Sequence, residues 1–192
     1  KLCELQGIPN YLVRGDIKTN FNDIGRPFAK VHMWNVVTLD GTPYLFDPTW
    51  GAGRYNGKFI KEPSYFFYKT PPELFFKTHY PDMYEDAFMD RLISKEVFAQ
   101  MPIIILEELT MNDVEQPLSG LIYSEEYFDV VSFTIANVDP DTVTYSFGGE
   151  KKPVRDMEKS GTRLQFDVPL EIGGENLEIY FDDAPALGYK IK

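Results

Sequence analysis

Apolar and polar residues along this chain fall into short alternating runs separated by turn residues, a pattern of many strands and few helices. Lys1–Gln6 reads as the end of a helix, with Gly7 in the C′ position that glycine favours. Ile8–Lys18 alternates and carries the β-formers Tyr11, Val13 and Ile17, which predicts a strand. Thr19–Pro27 is polar and contains Gly25 and Pro27, so it reads as a loop. Lys30–Leu39 predicts a second strand, Asp40-Gly41 a two-residue hairpin turn, and Thr42–Asp47 the returning strand. A glycine-rich turn follows from Pro48 to Arg54. Phe59–Phe67 is aromatic and predicts a short strand. Pro71–Thr78, opened by prolines, predicts a short helix, as does Ser94–Ala99 with Ser94 as its cap.

From about Ser119 the texture changes to serial short strands: Gly120–Ser124, Asp129–Ala136, Thr142–Phe147, Arg163–Pro169, Asn176–Asp182 and Tyr189–Lys192. Asp139-Pro140-Asp141, Gly148-Gly149, Ser160-Gly161, Gly173-Gly174 and Asp183-Ala184-Pro185 separate them, which indicates a small antiparallel sandwich or barrel. Charge divides at the same place. Residues 1–106 hold 12 acidic and 12 basic side chains, whereas residues 107–192 hold 18 acidic against 7 basic and so carry the whole net charge of −11. Two domains are expected, 1–106 and 107–192, the second an acidic β-sandwich accessory module.

An acidic surface repels phosphates, so nucleic acid is not expected as a partner. No apolar run approaches the roughly 18 residues of a membrane span, so no membrane insertion is expected. The single cysteine, Cys3, excludes an internal disulfide. The helix at Lys1 begins without a cap and reads as cut, so a longer chain is expected. The acidic, disulfide-free composition fits a secreted or periplasmic protein slightly better than a cytosolic one.

Chemistry concentrates on the hairpin. His32 lies on one strand and Asp47 at the end of the next. A carboxylate beside an imidazole fixes its tautomer and favours the imidazolium that holds a thiolate nearby. Serine as the nucleophile would require an elbow motif that this sequence lacks. Val31-His32-Met33-Trp34-Asn35-Val36-Val37, followed by Leu39-Asp40-Gly41-Thr42-Pro43-Tyr44-Leu45-Phe46-Asp47-Pro48-Thr49-Trp50-Gly51-Ala52-Gly53, resembles the transglutaminase-like (papain-like) cysteine-protease superfamily. Tyr65-Phe66-Phe67, Pro71-Pro72-Glu73 and His79-Tyr80-Pro81 resemble its kyphoscoliosis-peptidase and cytokinesis-protein branch. The resemblance covers residues 1–106.

The resemblance implies an α+β fold, the C-terminal part of a transglutaminase/papain-like core followed by the sandwich. It implies His32 and Asp47 as catalytic residues, with Trp34, Asn35 and Trp50 shaping the site. The nucleophilic cysteine would open the helix whose end carries Leu2-Cys3, about three turns before Lys1 and outside this sequence. The function implied is peptide hydrolysis or amide exchange on protein or peptide substrates, without cofactor or metal. The alternative is a non-catalytic adaptor that retains the fold.

Met33 stands where the family usually has alanine, a larger thioether expected to narrow the space around the imidazole. Cys3, at the wrong end of its helix for thiolate stabilisation, is expected to be a buried helix cysteine. His79 is expected to pack or to cap a helix end, and Tyr65–Tyr68 to pack in the core. No His/Cys run has metal-ligand spacing.

Overall fold

The computed structural model describes residues 1–26, 31–91, 93–124, 130–171 and 173–192. They are mostly β-strand, with a few short helices. None of those helices is long and apolar enough to cross a membrane. The chain divides into two compact units, Lys1–Ile17 with Phe28–Leu92 and Lys18–Pro27 with Ile93–Lys192. The division therefore lies ahead of the charge step near Glu107. Lys18 shows why its stretch joins the later residues: its Nζ donates to the carbonyls of Phe98 at 2.7 Å and Met101 at 2.9 Å.

The first unit contains α1 (Leu2–Leu5), β1 (Asn10–Ile17), β2 (Val31–Leu39), β3 (Thr42–Phe46), α2 (Pro48–Ala52), β4 (Gly53–Asn56), β5 (Lys58–Lys61), β6 (Tyr68–Thr70), α3 (Pro72–Phe75) and β7 (His79–Pro81). A five-stranded antiparallel sheet runs in the order β6-β3-β2-β1-β7. Lys30, taken with the second strand, lies outside the described residues. Asp40 and Gly41 both have positive φ, at 50° and 81°, as a two-residue turn matched to strand twist requires. The β2–β3 pairing runs without a register shift from Leu39↔Thr42 to Asn35↔Phe46.

One face of this sheet buries Val13, Trp34, Val36 and Leu45 against Phe75, with Phe67 and Phe88 packed at the margin. Alternation sends Leu12, Val31 and Met33 to the opposite face, where all three are exposed. The strand expected over Phe59–Phe67 is instead the second arm of a β4–β5 hairpin. Its turn is Gly57, at φ 68°, and Tyr55 pairs with Phe59 across it.

The second unit contains α4 (Lys95–Gln100), β8 (Ile103–Ile104), β9 (Val114–Gln116), β10 (Leu121–Ile122), β11 (Val130–Ala136), β12 (Val143–Ser146), β13 (Lys152–Pro153), β14 (Met157–Ser160), β15 (Arg163–Pro169), β16 (Asn176–Phe181) and β17 (Ala184–Ile191). One sheet runs β10-β17-β16-β12-β13, with β8 also on β17, and the other β14-β15-β11-β9. Phe133 of β11 stacks on Phe166 of β15 at 4.9 Å and meets Tyr189 of β17 edge-on at 5.3 Å, so aromatic packing joins the two sheets. Five of the six strands expected here contain an observed one, although Asp129 lies outside the described residues, and the sixth, Tyr189–Lys192, overlaps the end of β17. The last strand begins earlier than expected. Asp182 and Asp183, at φ 46° and 66°, form the whole turn, which leaves Ala184-Pro185 in β17.

Candidate active site

Asp47 directly follows β3 and caps α2, with Pro48 in the first helical turn. Its Oδ1 accepts from the amides of Thr49 at 2.9 Å and Trp50 at 3.2 Å. Its own amide donates to the Phe67 carbonyl at 3.1 Å. The cap turns the carboxylate back along the sheet, so that Oδ2 faces the start of β2. There the His32 Nε2 lies 2.7 Å away. No bulge in the β2–β3 pairing is needed for this. Asp47 lies one position past the Asn35↔Phe46 pair, and the imidazole spans the remaining diagonal.

A second imidazole reaches the same oxygen: His79 Nε2 is 3.3 Å from Asp47 Oδ2. His79 is fully buried, stacked on Phe75 at a centroid distance of 4.0 Å, and edge-on to Trp34 at 5.1 Å. Its Nδ1 is 2.8 Å from Thr78 Oγ1. His79 reaches the site through long-range pairing, with Ile17↔His79 and Gly15↔Pro81 joining β7 to β1. Gly15 also pairs with His32. A Cβ at Gly15 would lie 2.2 Å from the Tyr80 carbonyl oxygen and 2.5 Å from the Trp34 ring, so only glycine allows β7 this close.

The electrostatics follow from burial and donors. Burial alone would raise the Asp47 carboxyl. Hydrogen bonds from His32, His79 and the Trp50 amide, with the charge of His32, outweigh it and hold the group well below the usual carboxylate range. Burial pushes His79 down and outweighs the opposing pull of Asp47, so His79 is neutral near pH 7. An ionised carboxylate only accepts hydrogen bonds, so both Nε2 atoms carry hydrogen toward Oδ2. Among the described residues no hydrogen bond engages the Nδ1 of His32, on a side chain that keeps 15 % exposure.

Trp50 lies beside both imidazoles, 5.6 Å from His32 and 4.6 Å from His79 between ring centroids. Trp34 backs His79 from the core. Asn35 faces the other side of β2 and lines, with Cys3, Val37, Phe46, Asp47 and Phe67, an open groove of about 790 Å³. Met33 is also on that face and exposed, so it does not crowd the imidazole. Cys3 is half-buried rather than buried, and the run Tyr65–Tyr68 is core only in part: Phe67 packs at the margin of the cluster, whereas Tyr65 and Tyr68 are exposed and flank the groove. His79 neither simply packs nor caps a helix.

His32, Asp47 and His79 also offer three ligand atoms within 4.8 Å of one another, a donor set suited to a transition metal. No spacing in the sequence signals it, because the fold gathers residues that are 15 and 32 positions apart. Hydrogen bonds already satisfy these atoms.

No family model matches the chain. It is 34 % identical over 87 residues to kyphoscoliosis peptidase of Homo sapiens, covering 43 % of this chain and 13 % of that protein. The Mus musculus kyphoscoliosis peptidase is 33 % identical over 87 residues, with the same coverage of 43 % and 13 %. That stretch is distantly similar to kyphoscoliosis peptidase. The chain spans about 13 % of the length of these curated relatives.

Proposed function

We propose that the first unit supplies the histidine and aspartate of a transglutaminase-like cysteine peptidase or acyltransferase acting on protein or peptide amides. The 2.7 Å contact between His32 Nε2 and Asp47 Oδ2 carries this reading. A thiol contributed by residues outside this sequence gives its proton to His32 Nδ1. The thiolate attacks the amide carbonyl, and the imidazolium returns the proton to the departing amine. The resulting thioester is resolved by water, or by a second amine in exchange. Asp47 stabilises the imidazolium and keeps the ring turned with Nδ1 outward. The distant similarity to kyphoscoliosis peptidase supports hydrolysis over exchange.

The groove that joins Cys3 to Asp47 supports a place for the end of the helix that would carry the thiol. The second unit would serve as an acidic accessory module.

The test is intact-mass analysis of a longer form of the protein, incubated with a peptide amide and quenched in acid. A thioester adduct on a cysteine preceding Lys1, absent in His32→Ala, is expected. Absence of any such cysteine in the longer form would favour an adaptor.

A further inference from the structure

We propose that His79 is a positioning residue for the reading above, holding Asp47 from the buried side as a neutral hydrogen-bond donor so that the carboxylate meets His32 in one orientation. A carboxylate torsion is broad and roughly two-fold, so the cap on Oδ1 alone leaves Oδ2 free to swing. His79 takes up that freedom. Its Nε2 lies 3.3 Å from the same Oδ2 that His32 contacts, and the two imidazole centroids lie 5.6 Å apart, tilted by 52°.

His79 is itself immobile. Phe75 stacks on one face, Trp34 abuts its edge, Thr78 Oγ1 occupies Nδ1, and β7 is hydrogen-bonded to β1. With its Nε2 hydrogen given to the Asp47 carboxylate, a neutral His79 ring can only accept at Nδ1, where Thr78 Oγ1 lies 2.8 Å away. The groups facing the Asp47 carboxylate among the described residues are the two imidazoles and the Thr49 and Trp50 amides.

The two histidines thus divide the work. The one with solvent access exchanges protons. The sealed one donates a hydrogen bond without bringing a positive charge, so the charge of Asp47 remains available to the His32 imidazolium. A packing histidine would give none of this dependence on its Nε2 hydrogen.

The test needs only this chain, labelled with ¹³C and ¹⁵N. The Asp47 carboxyl signal is followed against pH in wild type, in His79→Gln, which keeps a side-chain N–H donor, and in His79→Phe, which keeps the ring stack on Phe75 without one. Wild type is expected to stay ionised well below the usual carboxylate range. In His79→Phe the midpoint moves up, and in His79→Gln most of that movement is reversed.

Equal midpoints in wild type and His79→Phe would overturn the proposal. Where His79→Phe does not fold, the wild-type ¹⁵N signals decide: a neutral His79 protonated on Nε2 supports it, and a cationic ring or a hydrogen on Nδ1 overturns it. Uptake of one zinc ion with loss of both Nε2–H signals would make the set a chelate and would also overturn it. None of these results involves a thiol, so failure of the triad reading in a longer form leaves them interpretable.

Discussion

Gly15 pairs directly with His32 across β1 and β2, and on its other side with Pro81 of β7. The missing side chain at that one position lets the strand bearing His79 close on the strand bearing His32. Gly15→Ala would push a methyl group against the Tyr80 backbone and the Trp34 ring. The expected cost is about 1–3 kcal/mol, as for other overpacked interiors, read as a lower urea midpoint at unchanged slope. Loss of the His32–Asp47 hydrogen bond in NMR should accompany it.

Acid should weaken the first unit in two stages. His79 is held below its ordinary 6.5 by burial, so the unfolded chain binds its proton more readily. Stability from this residue is complete above pH 6.5 and falls as pH drops below it. The Asp47 carboxyl is also depressed from its ordinary 3.8, so its contribution is complete above that pH and is lost as pH falls further. Thermal melts from pH 8 to 2 should show both declines, and His79→Gln should lack the first.

Lys18 predicts the opposite side of neutrality. Burial lowers its ammonium from 10.5 to about 7, against a smaller upward pull from Asp23. Between those values the unfolded chain holds the proton and the folded chain has released it, so stability rises with pH. Lys18→Met keeps the stem but loses both hydrogen bonds to the Phe98 and Met101 carbonyls. The variant should be less stable overall and should lose the rise between pH 7 and pH 10, measured by urea unfolding.

In the second unit, Phe133 is fully buried between Phe166 and Tyr189. Phe133→Ala should cost about 3–5 kcal/mol through lost burial and the cavity left behind. Phe133→Leu should cost less, and calorimetry of the two variants orders them.

Local chemistry was legible in the sequence where local residues set the structure. Asp40-Gly41 made its hairpin, Gly7 ended α1 at φ 66°, and Ser94 capped α4 by accepting from Val97. The strand pattern of the later half was legible because burial alternates strictly along β15 and β16. Features set by distant pairing were not. β7 is three residues long and exists because β1 receives it, so His79 had no local signal for its place beside Asp47. Met33 is next to His32 in sequence but on the opposite face, because one step along a strand reverses the face. The partnership of Lys18 with α4 spans about 80 positions, and no window along the chain contains both.

The central claim, that His32 and Asp47 serve a thiol, is tested most directly by the pH dependence of iodoacetamide labelling in a longer form of the protein. The account predicts a thiol that reacts at acidic pH in wild type and whose reactivity shifts to the ordinary thiol range, near pH 8.5, in His32→Ala. Identical profiles in the two proteins, or no thiol reacting below that range, would contradict it.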